Sequence, residues 1–140
     1  MPRYIAIDYG TKRIGLASAD SAVGVTTPLG VVAGRNDLAA DVDAVLAVVA
    51  DYQVDTLVVG LPLNMDDTEG PQAKLTRRFG TLLAERSGLE VVYHDERLSS
   101  FAADDAMAGS DLTQQQRKRQ RDKLAAAAIL QAFLDQQTQG

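Results

Sequence analysis

The feature that most constrains the fold is an apolar stretch near the start of the chain that carries one acid and is then interrupted by a turn. Ile5 to Ile7 favour extended backbone, Asp8 follows them, and Gly10 to Lys12 breaks the run before a second strand-like segment begins at Arg13. Two strand-like segments with so short a connection predict a β-hairpin. An ionised carboxylate on a strand is costly to bury without a positive partner. Asp8 therefore either caps the turn or belongs to a site.

Composition and charge limit the classes of protein to which this chain can belong. With 140 residues, one domain spanning residues 1–140 can bury a hydrophobic core without disulfides. The absence of cysteine excludes disulfides and thiolate metal sites, and no apolar run is long enough to span a membrane. The N-terminus lacks a signal-peptide pattern, so we expect a cytoplasmic protein. A net charge of −5 is only weak evidence against nucleic-acid binding, because local basic patches decide it.

Hydrophobic periodicity and turn residues divide the rest of the chain into alternating strands and helices. The predicted elements are, in order, a strand at Pro28–Val32, a helix capped by Asn36 and ending near Tyr52, a strand at Thr56–Gly60, a helix that Pro71 opens and Gly88 ends, a strand at Glu90–His94, a short helix from Ser99 or Ser100 to Gly109, and a last helix from about Thr113 to Gln136. A hairpin followed by this alternation predicts an α/β fold with a mixed sheet and helices on both faces.

A second informative acid lies on the last predicted helix. Residues three, four and seven apart share a helix face, so Asp122 aligns with the apolar, inward-facing Ala126, Ile129 and Phe133. The small residues that surround Ala126 would let this helix pack closely on the sheet. The alternative is that Asp122 pairs in solvent with a neighbouring base, Arg119 or Lys123.

The third candidate is the pair Asp95 and Glu96, at the end of a predicted strand. Successive strand residues face opposite sides of a sheet, so only one of the two can face Asp8. Alternation alone does not say which. The alternative is that both are loop acids that meet Arg97 at the surface.

Three carboxylates that converge from two strand ends and a helix would form an all-oxygen site, which suits Mg²⁺ or Mn²⁺. Two such ions can support hydrolysis of a phosphodiester. Basic residues flank two of the acids: Lys12 and Arg13 near Asp8, and Arg117, Lys118, Arg119 and Arg121 near Asp122. The helical run would hold a phosphate backbone, or it is an ordinary solvated helix face.

At these residues the chain resembles the YqgF (RuvX) family of pre-16S rRNA nucleases or Holliday junction resolvases. Four blocks carry the resemblance, in order along the chain: Ile5–Gly15, Val59–Met65 with Thr68–Gly70, His94–Ser99 and Asp122–Gln131. The resemblance implies an RNase H-like fold with a mixed five-stranded sheet and a metal-dependent nuclease that uses Mg²⁺ or Mn²⁺. Its expected partner is nucleic acid, either structured RNA such as the 5′ end of pre-16S rRNA or branched DNA. A monomer or a homodimer is compatible with it.

The resemblance also selects site residues. Asp8, Glu96 and Asp122 fall on the family's acidic positions, which favours Glu96 over Asp95. Asn64 and Arg97, in the matched blocks, are expected to bind nucleic acid with the basic residues. Two residues depart from the family pattern. Asp67 stands where Gly is frequent, and Asp tolerates left-handed backbone better than most residues. Lys123 stands where a small or apolar residue is usual.

Two rival functions remain at the level of sequence. Asp8 to Thr11 also resembles the phosphate loop of actin-like and sugar-kinase ATPases, but those need a second lobe for which 140 residues leave no room. The other rival is a non-catalytic protein that binds RNA or a ribosomal partner.

Overall fold

The opening hairpin forms the middle of a five-stranded sheet. The computed structural model describes residues 3–20, 22–98 and 114–139, and in the last range it describes side chains only for residues 124–137. The strands are β1 (Arg3–Asp8), β2 (Arg13–Asp20), β3 (Thr26–Ala33), β4 (Thr56–Leu61) and β5 (Glu90–Asp95). Their order across the sheet is β3-β2-β1-β4-β5. The pairs β1–β2 and β2–β3 are antiparallel, whereas β1–β4 and β4–β5 are parallel. The predicted mixed five-stranded sheet is confirmed.

In the part of the chain that the structure describes, three α-helices pack on the sheet: α1 (Leu38–Val49), α2 (Pro71–Ser87) and α3 (Gln114–Gln139). As predicted, α2 begins at Pro71 and ends before Gly88, whose φ of 69° is left-handed. The cap of α1 was assigned wrongly. Asp37, not Asn36, has the extended backbone of an N-cap and accepts from the amides of the second and third residues beyond it. Asn36 has φ of 55°, which an N-cap residue does not adopt. The helix predicted between Ser99 and Gly109 lies outside the described residues.

Helices cover both faces of the sheet because both faces of its central strands are apolar. On one face, Ile5 and Ile7 of β1 pack with Val45 of α1 and Phe79 of α2, all fully buried. On the other face, Tyr4 and Ala6 pack with α3. Each β1 residue therefore belongs to the α1–α2 face or to the α3 face according to its alternation along the strand. By this alternation Asp8 belongs to the α3 face.

Helix α3 packs closely because small residues line both sides of its contact. Ala126 and Ala127 are buried against Ala6 and Ala17 of the hairpin strands, as the alanine run predicts. The helix runs antiparallel to β1. The Tyr4 hydroxyl donates to Gln137 near the end of the helix, 3.2 Å away. The N-terminal half of α3 therefore extends towards the end of β1 that carries Asp8.

Candidate active site

On the α3 face of the sheet, the residues next to Asp8 on the neighbouring strands leave space around its side chain. Asp8 is paired with Gly15 of β2. On its other side, Ile7 pairs with Val59, so the register brings Gly60 next to Asp8. Gly60 in turn pairs with His94 of β5. A glycine on each side of Asp8 removes the side chains that would otherwise crowd its carboxylate.

The Glu96 side chain occupies that space. Glu96 begins a short 3-10 turn, Glu96–Leu98, directly after β5. An ideal Cβ added to Gly60 would lie 2.8 Å from Cγ of Glu96 and 2.6 Å from Cδ1 of Ile129. Residue 60 is therefore a glycine because the Glu96 side chain and α3 both lie against its α-carbon. Here Glu96 shares a hydrogen bond with Asp8.

The surroundings of Glu96 make its ionised form unfavourable. Burial, the hydrogen bond with Asp8, and the negative charges of Asp8 and Asp95 together raise the pKa of Glu96 to about 9. His94 lies nearby in the same buried layer, and burial lowers its pKa although the charge of Asp95 opposes this. His94 is therefore neutral near pH 7 and does not compensate the two acids. The pair Asp8–Glu96 therefore keeps a proton near pH 7.

The structure separates Asp95 from Glu96, the two acids between which alternation could not choose. Asp95 turns to Arg97, whose Nη2 lies 2.6 Å from its Oδ2. Hydrogen bonds from Arg97 hold the pKa of Asp95 below its ordinary value. Val92 and His94 of β5 lie on the α3 face, so strand alternation places Glu96 on the same face as Asp8 and Asp95 on the opposite face.

Asp122, the third predicted acid, lies on α3, but its side chain is outside the described part of the structure. Its place on the helix is one turn before Ala126, which is fully buried, and two turns before Ile129, which lies beside Glu96. Because α3 runs antiparallel to β1, residue 122 lies farther towards the Asp8 end of the sheet than Ile129 does. Among the side chains that the structure describes, no three acids or histidines form a metal-binding group.

A groove of about 310 Å³ opens beside Asp8. It is lined by Asp8 to Arg13 and by Gln72 of α2, so Lys12 and Arg13 lie where the sequence places them. Lys12 is exposed, and Arg13 is half-buried at the start of β2. Sequence reasoning missed Gln72, whose amide donates to the carbonyl of Tyr9 at 3.4 Å. No motif marks it, because only the fold brings the start of α2 to this turn.

The predicted nucleic-acid residue Asn64 lies in the loop that follows β4, and hydrogen bonds within the loop order it. The Asn64 side chain donates to Oγ1 of Thr68 at 2.9 Å, and the Asp67 amide donates to the Asn64 carbonyl at 2.9 Å. Asp67 has φ of 70°, the left-handed backbone that its place in the sequence predicts. Arg97 contacts this loop as well as Asp95. The basic run Arg117, Lys118, Arg119 and Arg121 lies on α3, with side chains outside the described residues.

Comparison with known proteins decides the family. The model of the RuvX family, described as Holliday junction resolvase, matches residues 2–136. The chain belongs to the RuvX family. A relative from Anaeromyxobacter sp. (strain K) is 44% identical over 133 residues, covering 95% of this chain and 96% of the relative. A relative from Agathobacter rectalis is 39% identical over 137 residues, covering 95% and 94%. Both are named "Putative pre-16S rRNA nuclease".

Solved structures confirm the RNase H-like fold expected of a RuvX protein. The chain is similar to Thermus thermophilus RuvC in complex with a Holliday junction substrate, with a TM-score of 0.59 and 13% identity, covering 99% of this chain and 96% of RuvC. At such low identity the likeness concerns the fold. Within the residues that the structure describes, no helix combines the length and apolarity needed to cross a bilayer.

Proposed function

We propose that this RuvX protein is a metal-dependent nuclease that hydrolyses phosphodiester bonds at the 5′ end of pre-16S rRNA in the cytoplasm. The observation that carries the proposal is the Asp8–Glu96 pair. Two carboxylates share a hydrogen bond in a partly desolvated cleft, and a groove bordered by basic residues opens beside Asp8. The rRNA substrate follows the names of the relatives.

The residues fit a divalent cation. Burial, the hydrogen bond with Asp8 and the neighbouring negative charges raise the pKa of Glu96 to about 9, and a bound divalent cation would relieve the same unfavourable burial of negative charge. The donors of the pair are all oxygen, which suits Mg²⁺ or Mn²⁺. Asp8 and Glu96 would hold the metal, with Asp122 as the proposed third ligand from α3. Bound ions would activate the attacking water and stabilise the leaving oxygen.

The chain's other residues would bind and orient the substrate. Lys12 and Arg13 lie at the rim of the groove beside Asp8 and would attract the phosphate next to the scissile bond. Gln72 holds the carbonyl of Tyr9 and thereby fixes the turn that carries Lys12. The basic run Arg117, Lys118, Arg119 and Arg121 precedes or flanks Asp122 on α3 and would extend the phosphate contacts away from the site.

A second candidate function is resolution of branched DNA, which the description of the family model favours. Resolution needs two sites on a symmetric dimer, since the junction itself is symmetric, whereas trimming one RNA end needs only a monomer. Cleavage of precursor rRNA and of a four-way junction should be compared in one buffer, with the mass of the protein in solution measured in parallel. We expect faster cleavage of the RNA.

The test of the nuclease itself is the variant Asp8→Asn, which keeps the shape of the side chain and removes its charge. In Mn²⁺ the wild type should cleave precursor rRNA, and Asp8→Asn should lose at least about 100-fold in rate, the upper end of the range for disturbed metal sites. The matched control is Asp51→Asn, an exposed acid just after α1, which should cleave like the wild type. A folded Asp8→Asn protein with the wild-type rate would refute the proposal. Tight RNA binding without cleavage by the wild type would instead support a non-catalytic binding protein.

A further inference from the structure

All three guanidinium nitrogens of Arg97 donate hydrogen bonds to acceptors of the protein. Its Nε lies 3.0 Å from both carboxylate oxygens of Asp95, and its Nη2 lies 2.6 Å from Asp95 and 2.8 Å from Asp67. Its Nη1 donates to the carbonyls of Asn64 at 2.9 Å and Met65 at 3.5 Å. Each guanidinium nitrogen thus donates to the protein, in the bidentate geometry for which arginine is suited.

These contacts connect the turn after β5, which carries Glu96, to the loop after β4. Asp95 and Arg97 are the immediate neighbours of Glu96, and the Arg97 amide also donates to Asp95 at 3.0 Å. The ion pair therefore closes the turn from which the Glu96 side chain extends. The contacts to Asp67 and to the two carbonyls attach that turn to the loop after β4. Two carboxylates surround one guanidinium, so this cluster is net negative and does not favour a phosphate.

We propose that Arg97 is a positioning residue, which with Asp95 and Asp67 fixes the turn that carries Glu96, and that it does not bind nucleic acid through its charge. The inference rests on the proposed nuclease function. It also gives Asp67 a role in this chain. A glycine would adopt its φ of 70° without strain, but only a side chain with an acceptor oxygen reaches Arg97.

The test separates turnover from binding. In Arg97→Gln, kcat should fall about 10- to 100-fold, the usual cost of disturbing the groups that orient metal ligands, while KM changes little. Binding of the same RNA, measured in an Asp8→Asn background that does not cleave, should keep its affinity and its salt dependence. Arg97→Lys keeps the charge but not the fork of donors, so it should not restore kcat.

Asp67→Gly separates the two roles of Arg97 most clearly. Glycine adopts left-handed backbone without strain, so the loop should fold as before, and it has no side chain to accept from Arg97. If Arg97 positions Glu96, the loss of this contact should lower kcat by a few-fold, less than in Arg97→Gln because the Asp67 side chain is 81% exposed. If Arg97 instead bound phosphate, removal of a neighbouring negative charge would tighten RNA binding and leave kcat unchanged or higher.

The control is an arginine that makes an equally short ion pair far from the site. Arg86 lies 2.6 Å from Asp43 and joins α2 to α1, and Arg86→Gln should keep the wild-type kcat. Two results together would overturn the inference. One is that Arg97→Gln lowers the slope of log affinity against log salt by nearly one unit, as expected for the loss of one phosphate contact. The other is that Arg97→Lys restores kcat. A wild-type kcat in both Arg97→Gln and Asp67→Gly would also overturn it. If the wild type itself cleaves nothing in Mn²⁺, the proposed function fails first, and the inference falls with it.

Discussion

At the scale of single residues, the site depends on a carboxylate whose charge the fold disfavours. The pKa of Glu96 rises from 4.5 to about 9, chiefly by burial and then by its hydrogen bond and charge interaction with Asp8. The folded protein therefore keeps a proton that the unfolded chain releases above about pH 4.5. Without metal, the stability from this proton is complete at low pH and is lost as the pH rises towards 9.

This linkage gives a prediction for metal-free protein. Between pH 5 and pH 8 the wild type should lose stability by up to about 1.4 kcal/mol per pH unit from this group. Glu96→Gln, which is neutral at every pH, should show a smaller loss and should exceed the wild type in stability at pH 8. Urea unfolding at each pH in chelator measures this. The control is Glu90→Gln, an exposed acid at the start of β5, and equal pH dependence in wild type and Glu96→Gln would contradict the account.

Gly60 contributes to the same site because it has no side chain, which leaves space for the Glu96 side chain. A Cβ at this position would lie 2.6 Å from Ile129 and 2.8 Å from Glu96, so Gly60→Ala must displace one of them. We expect a loss of about 1–3 kcal/mol in the free energy of unfolding, the usual cost of overpacking, and a large loss of cleavage. Gly24→Ala serves as a control because no heavy atom lies near its Cβ position, although its φ of 73° adds some local strain. Wild-type cleavage by a folded Gly60→Ala protein would show that Glu96 does not depend on this space.

At the scale of elements, local sequence rules predict some boundaries well and others poorly. Pro71 and Gly88 define α2 because proline and glycine act through their own backbone. Asn36 was misread as the cap of α1 because asparagine is frequent both at N-caps and in left-handed backbone, and here it has φ of 55°. Gly34 lies so close to Thr11 of the hairpin turn that an added Cβ would overlap the Thr11 carbonyl. This contact between segments far apart in sequence lies just before α1, and no local pattern reveals it.

In the candidate site, too, some residues can be predicted from the neighbouring sequence, whereas others are brought to the site only by the fold. Asp8 and the basic turn after it can be predicted from the hairpin pattern alone. The choice of Glu96 over Asp95 came from family resemblance, because the sequence alone does not say which face of β5 packs against α3. Gln72 was missed because it comes from another element. The assignment of Asp122 as a metal ligand stays a prediction, as does the binding of nucleic acid by Asn64.

The N-terminal half of α3 gives a prediction at the element scale. If Arg117 and Lys118 contact phosphates, changing both to Ala should flatten the plot of log affinity against log salt by about 1.4 to 1.8 units, at 0.7 to 0.9 per contact. Affinity should fall by a similar factor for unrelated RNA sequences, since phosphate contacts carry no sequence information. Arg86→Ala, on the far part of α2, should leave the slope unchanged. An unchanged slope in the double variant would make this run an ordinary solvated helix face.

At the scale of the whole molecule, the acids of the site should oppose folding until metal is present. Asp8 and Glu96 meet on the α3 face, and the proposed third acid, Asp122, lies on the helix that covers this face. Burial and the charge of Asp8 make Glu96 keep its proton in the metal-free fold, which costs stability near pH 7, and a divalent ion that bound the folded cleft would offset this cost by mass action. On this account the RuvX protein would trade stability for a binding site, as functional sites commonly do.

The most direct measurement is the thermal melt of wild type and Asp8→Asn, each in chelator and in Mn²⁺. In chelator, Asp8→Asn should melt as high as the wild type or higher, because one repelling charge is gone. At Mn²⁺ about 100-fold above its dissociation constant, the wild type should gain about 2.7 kcal/mol, or about 8 °C for a chain of this size. Asp8→Asn should lose most of that gain. Equal Mn²⁺ shifts in the two proteins would show that Asp8 does not hold the metal and would contradict the account.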